Sequence, residues 1–99
     1  MSLPVVLRSE AEDDVEQVRN YLDSQRSGFG EVFLTRLREV LFAISVMPEM
    51  HRVIWNGVRA TLVRKFKYLV YYRVHKDFVQ IIAVLHGSRD ESIWKQRAK

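Results

Sequence analysis

Three apolar runs joined by very short connections, between Val58 and Arg89, constrain this chain more than any other feature. Val58 to Arg64 alternates, with Val58, Ala60 and Leu62 set against Arg59, Thr61 and Arg64. Tyr68–Val74 and Phe78–Leu85 are rich in β-branched and aromatic residues. That patterning suits a pleated, half-buried surface, so three consecutive strands are expected. The connections, Lys65-Phe66-Lys67 and His75-Lys76-Asp77, are too short for a crossover. Neighbouring strands must therefore run antiparallel. The third ends in His86-Gly87-Ser88-Arg89, a polar cluster delivered to the rim of the sheet.

Before these strands the chain reads as support for them. Leu3–Leu7, with Pro4 near its start, reads as a short edge strand, where a missing N–H is tolerated. Ser9 stands three residues before Glu12, a capping-box spacing, and Glu10, Glu12, Asp13 and Asp14 load a first helical turn with negative charge. Ala11, Val15, Val18 and Leu22 follow at helical spacing, and the helix is expected to stop near Gln25. Ser27-Gly28-Phe29-Gly30 breaks it. A second helix places Phe33, Leu37, Val40, Leu41 and Ile44 on one face and ends before Pro48. Two amphipathic helices joined by so short a turn make an antiparallel hairpin, whose apolar side needs the sheet as its counterpart. His51–Trp55 reads as extended, Asn56-Gly57 as a type I′ turn, and Asp90–Lys99 as a tail with a short helix. The expected fold is α+β: an N-terminal helical hairpin packed on one face of a small antiparallel sheet, in the order β-α-α-β-β-β. One domain over residues 1–99 is expected.

Charge is unevenly placed along this frame. Residues 1–51 carry five Lys/Arg against nine Asp/Glu, a balance of −4, and residues 52–99 carry eleven against three, a balance of +8. A segregated basic half points to nucleic acid or an acidic protein segment, or is simply solvated surface. Cysteine is absent, so no disulfide or thiolate metal site is available, and His51 and His75 lack spaced ligand partners. No metal and no other cofactor is expected. Met1-Ser2-Leu3-Pro4 does not open a secretory leader, and no apolar stretch reaches the roughly 18–20 residues that span a bilayer. A cytoplasmic location without a membrane partner follows as an expectation.

An ordered set of residues then carries a family resemblance. Tyr21-Leu22 closes the first helix, Pro48 the second, and Gly57-Val58-Arg59 opens a strand. Phe66-Lys67-Tyr68-Leu69-Val70-Tyr71-Tyr72-Arg73 follows, then Val84-Leu85-His86-Gly87-Ser88-Arg89-Asp90 and a tail with Trp94 and Arg97. In this order the chain resembles toxins of the RelE/ParE superfamily from bacterial type II toxin–antitoxin modules. The resemblance implies a growth-arresting, plasmid-stabilising toxin held in a heteromeric complex by a cognate antitoxin. RelE-like members enter the ribosome and cleave mRNA; ParE-like members bind DNA gyrase, trap its cleaved-DNA state and are not nucleases. The His86-to-Asp90 ending and the lack of any tyrosine after Tyr72 resemble the ParE-like branch more closely. A toxin that has lost its activity and persists as an antitoxin-binding module is a third reading.

Site residues are assigned on both branches. In a nuclease, Arg59 would clamp the scissile phosphate, His86 would act as acid or base, and Arg89 would reach a phosphate. The structural alternatives are an Arg59 paired to a carboxylate, a hydrogen-bonded His86 and an Arg89 capping the tail beside Asp90. Arg64, Lys65, Lys67, Arg73, Trp94 and Arg97 are the expected target- or nucleic-acid-binding set. Glu49, after Pro48, sits roughly where one nuclease branch keeps a catalytic glutamate, and is otherwise an exposed side chain. Tyr68, Tyr71 and Tyr72 either stack on bases or fill the core. An acidic antitoxin segment is expected in the groove between the hairpin and the sheet, over Arg59 and Arg73.

Overall fold

Strand β1 (Val5–Leu7) leads directly into helix α1 (Ser9–Gln25), and α2 (Phe29–Val46) returns antiparallel to it. Strands β2 (Val53–Trp55), β3 (Val58–Val63), β4 (Tyr68–Val74) and β5 (Val79–His86) follow, then a short helix α3 (Ser92–Arg97). These elements come from a computed structural model that describes residues 2–99. Met1, the first residue of the expected domain and of the N-terminus read as leader-free, lies outside the described residues.

The sheet order is β1-β5-β4-β3-β2. Every pair from β2 to β5 is antiparallel, as their short turns require. The β2–β3 turn has Asn56 at φ 48° and Gly57 at φ 77°, the positive pair that a type I′ turn needs. One edge corrects the sequence expectation: β1 runs parallel to β5, with Val5 opposite Val79 and Leu7 opposite Ile81, so the sheet is mixed. Tight turns dictate direction only between strands they join. Both helices and three strands separate β1 from β5, so no turn fixes its sense.

Two glycines let the helical hairpin close. Gly28 caps the turn at φ 84°, where a Cβ would be strained. Gly30 lies so close to α1 that a Cβ there would sit 2.7 Å from the Arg19 carbonyl oxygen. The capping box does not form. Helix α1 begins at Ser9 itself, and the Ser9 hydroxyl faces Glu10 Oε1 at 3.3 Å. The residue before it, Arg8, lies just past β1 and still bonds to the sheet, donating its main-chain N–H to Ile81 O at 3.1 Å.

Both faces of the sheet are covered. Val63, Tyr68, Val70, Tyr72, Val79, Ile81 and Val84 share a core with Ala11, Val18 and Leu22 of α1 and Phe33, Leu37 and Ile44 of α2. On the other face Val58, Tyr71, Ile82, Ala83 and Leu85 lie under Trp94 and Ala98. Tyr71 and Tyr72 are therefore both buried, one in each core. The β4–β5 pairing steps from Tyr71↔Ala83 to Tyr72↔Ile81, leaving Ile82 as an extra residue. This bulge resets the alternation, so Ile82 and Ala83 face the same side while Val84 turns to the helices.

Candidate functional site

The basic side chains fall into two groups with different surroundings. The first group holds the chain together. Asp14 lies on the apolar stripe of α1 and is 6% exposed. Its carboxylate takes two bonds from Arg97, Nη1 to Oδ2 at 2.6 Å and Nη2 to Oδ1 at 3.1 Å, and a third from the Val84 N–H at 3.0 Å. Arg97 Nη1 also donates to Ile82 O at 3.3 Å. Strand β1 ends opposite Ile81, so beyond it β5 has no strand on the side away from β4, and the Asp14–Arg97 pair caps that edge instead.

Other donors fix the tail at further points. Arg8 donates to Arg97 O at 2.6 Å; Arg73 Nη2 donates to Asn56 O and to Ala98 O, each at 2.8 Å; the Asn56 amide also donates to Ala98 O at 3.3 Å. Trp94 lies flat on Tyr71 (centroids 4.7 Å apart, 17° between planes) and edge-on to Trp55 at 5.9 Å. Of the expected target-binding set, Arg73, Trp94 and Arg97 thus each make hydrogen bonds or ring contacts within the protein.

Arg59 points to the helical side near the end of α2. Its Nη1 donates to the carbonyls of Glu49, at 3.2 Å, and His51, while the Glu49 carboxylate stands 3.7 Å away and is mostly exposed. Arg59 Nε and the hydroxyl of its cross-strand neighbour Tyr72 are buried without a protein partner. Burial raises Tyr72 above the ordinary tyrosine value, and the Arg59 charge pulls it back. Arg59 and Arg73 border a cleft of about 510 Å³ at this corner of the sheet, with His75, Lys76 and Glu49.

His86 occupies the opposite end. Its Nδ1 accepts the Ser88 N–H at 3.1 Å and lies 2.8 Å from the Ser88 hydroxyl, and its ring meets Tyr68 edge-on at 5.2 Å. Nδ1 thus faces back into its own turn. The separation from Arg59 follows from register. Arg59 is opposite Tyr72 and His86 is opposite Tyr68, four residues apart on β4. That is about 13 Å along the strands and about 10 Å across them. The two do not meet over one phosphodiester.

The second group is unengaged. Arg64, Lys65, Lys67 and Arg89 are exposed, and none has a carboxylate oxygen within 4.0 Å among the described residues. Arg64 and Lys65 stand at the cationic end of a groove of about 600 Å³ between α2 and β3. Its walls are Val40, Ala43, Ile44, Met50 and Leu62, and Arg36 pairs with Glu39 at 3.3 Å at its rim. Leu62 and Met50 are 48% and 54% exposed, high for apolar side chains facing a groove. Arg59 and Arg73 do not line this groove.

Comparison with known proteins decides what kind of molecule carries this arrangement. A family model described as the ParE toxin of the type II toxin–antitoxin system parDE matches residues 5–91. The chain belongs to the ParE toxin family. It is a type II toxin by that membership. A solved structure, described as the chromosomal ParDE TA system from P. aeruginosa, shares the fold with a TM-score of 0.64 at 12% identity, over 86% of this chain and 96% of that one. No curated protein matches in sequence. Among the described residues, no helix is long and apolar enough to cross a membrane.

Sequence reasoning gave two residues of this ParE-family fold only local roles, Asp14 in a negative first helical turn and Asn56 in the β2–β3 turn. Asp14 was readable: it falls three residues after Ala11 and four before Val18, in phase with the apolar stripe. A carboxylate at such a position is buried and needs a cation. Asn56 reads as a turn residue, and only the fold brings the Ala98 carbonyl to it.

Proposed function

We propose that this chain arrests growth as a ParE-like inhibitor of DNA gyrase, acting by binding rather than by cleaving RNA. The family match over residues 5–91 carries the reading. The register argument supports it: the two groups a nuclease of this type would combine, Arg59 and His86, stand at opposite ends of the sheet. Metal-independent RNA cleavage needs its base, acid and phosphate clamp around one bond. With purified gyrase, supercoiled plasmid and ATP, the chain is expected to accumulate linear, cleavage-complexed DNA. Toxicity in cells without cleavage complexes and without loss of supercoiling would overturn this. New mRNA 5′ ends on translating ribosomes, abolished by Arg59→Ala, would establish the RelE-like alternative. A chain that binds its antitoxin but does neither is the inactive module.

The neutralising partner is a cognate antitoxin whose amphipathic, acidic segment seats in the α2–β3 groove. Apolar walls at Ala43, Met50 and Leu62, ending at the unpaired Arg64 and Lys65, match a segment that is apolar along one side and acidic at one end. Leu62→Asp places a carboxylate on an exposed strand position in that wall. Co-purification with the product of the adjacent small gene is expected to fall at least tenfold for this variant. Unchanged recovery would remove the groove from the interface.

A further inference from the structure

The unengaged cations gather at one end of the molecule, and the backbone there is strained to present them. Lys65 and Lys67 both lie at positive φ, 75° and 59°. Left-handed backbone of that kind strains a residue with a Cβ, and glycine would relieve it. Between the two lysines Phe66 turns inward, 8% exposed, against Phe29 (centroids 5.0 Å) and Phe33 (5.4 Å). One buried ring thus anchors the turn while its flanking charges face solvent. The end of β5 is tied to the same turn, Gly87 donating its N–H to Lys67 O at 2.9 Å, and Arg89 follows in the tight turn closed by its N–H to His86 O at 3.0 Å. Carboxylates that share this end are engaged by other groups: Glu39, in the groove with Arg64 and Lys65, pairs with Arg36 at 3.3 Å, and Asp90 accepts the Ser92 N–H at 2.8 Å.

We propose that the β3–β4 turn and the end of β5 form a phosphate-contacting edge for duplex DNA, with Arg64, Lys65, Lys67 and Arg89 as its contacts. The chemistry favours a duplex over a single strand. Single-stranded nucleic acid is held by rows of exposed aromatic rings, whereas a duplex offers only its backbone to a cationic edge that reads no sequence. Phe66 and Tyr68 at this end are buried, and Tyr21 is the single exposed ring there among the described residues. The edge is separate from the walls of the α2–β3 groove except at Arg64 and Lys65, so an antitoxin seated in that groove would mask half of it. The inference does not depend on which machine the toxin blocks.

The test is fluorescence anisotropy of the full chain with a labelled duplex of about 25 base pairs, between about 50 mM and about 200 mM salt. Four phosphate contacts predict a slope of log K against log salt of about −3 to −4. In the double variant Lys65→Gly, Lys67→Gly the backbone strain is relieved, so folding is retained while two charges are lost. Its slope is expected to flatten by about two and its affinity to fall. Lys76→Ala, at the far end of the sheet, serves as the control for bulk charge and is expected to leave binding within twofold. Equal loss in Lys76→Ala and the turn variant would overturn the edge, as would no binding at the lower salt. Tighter binding of single-stranded RNA of the same length would also overturn it.

Discussion

Two groups of cations on one small sheet behave in opposite ways. Arg8, Arg73 and Arg97 are bound to carbonyls and to Asp14, and they attach the tail and cap an open strand edge. Among the described residues, Arg64, Lys65, Lys67 and Arg89 pair with no carboxylate, and two of them hold unfavourable backbone angles. Net charge counts both groups alike, and both lie mostly in the basic half of the sequence. What separates them is burial and partner geometry. The first group contributes stability, and the second draws on it for the sake of exposed charge.

The largest effect is expected from breaking the Asp14–Arg97 pair. Arg97→Ala leaves a carboxylate that is only 6% exposed without its bidentate partner. Loss of one member of a buried pair typically costs about 3–5 kcal/mol, and because Arg97 is only half-buried the lower end, about 3 kcal/mol, applies. In a domain of this size that corresponds to a fall in Tm of more than about 12 °C. Thermal unfolding followed by circular dichroism measures it; a shift below a few degrees would place Arg97 in the unengaged group. Arg73→Ala comes next. It removes two donors to main-chain carbonyls, at about 2 kcal/mol together, and frees the chain end at Ala98. Faster proteolysis confined to the last residues, beside the drop in Tm, is the expected signature.

The line between what could and could not be read in advance runs along the same division. The strands, the antiparallel pairing of β2 to β5 and the helical hairpin were legible, because alternation and short turns are local constraints, whereas the parallel β1 edge was not. Arg97 and Trp94 were not legible as parts of the fold. Their partners, Asp14 and Tyr71, are 83 and 23 residues away in sequence, and an arginine in a charged tail carries no local sign of burial. The bulge at Ile82 likewise has no sequence signature, yet it decides that Ile82 and Ala83 face the tail helix while Val84 faces Asp14. Exposed cations at Arg64, Lys65 and Lys67 were legible as a basic turn, but not the anchoring of Phe66 that fixes their direction.

Alkali probes the tail's footing without mutation. Burial holds Tyr68, Tyr71 and Tyr72 above the ordinary tyrosine value. For Tyr71, the charge of Glu91 adds to that effect. A group raised in the folded state stabilises fully below its unfolded value and loses that contribution as pH rises through its folded one. Stability is therefore expected to hold up to about pH 10 and to fall above it. Tyrosinate absorbance and tryptophan fluorescence should change together there, since Trp94 rests on Tyr71. Tyrosine ionisation well before any change in fluorescence would mean that the tail's footing is not buried in solution.

The smallest expected effect has the opposite sign, and so tests the comparison most sharply. Replacing Lys65 or Lys67 by glycine releases about 1–2 kcal/mol of left-handed backbone strain. Glycine's greater freedom in the unfolded chain takes back about 0.5–1 kcal/mol. A net gain near 0.5 kcal/mol per position, a rise of a few degrees in Tm, is expected although a charged side chain has been deleted. Alanine at the same positions removes the charge but keeps the strain, so it should leave Tm nearly unchanged. If glycine and alanine variants melt alike, the turn is relaxed in solution. If both melt well below the parent, the lysines belong with Arg73 and Arg97 as structural cations, and the division between the two groups fails.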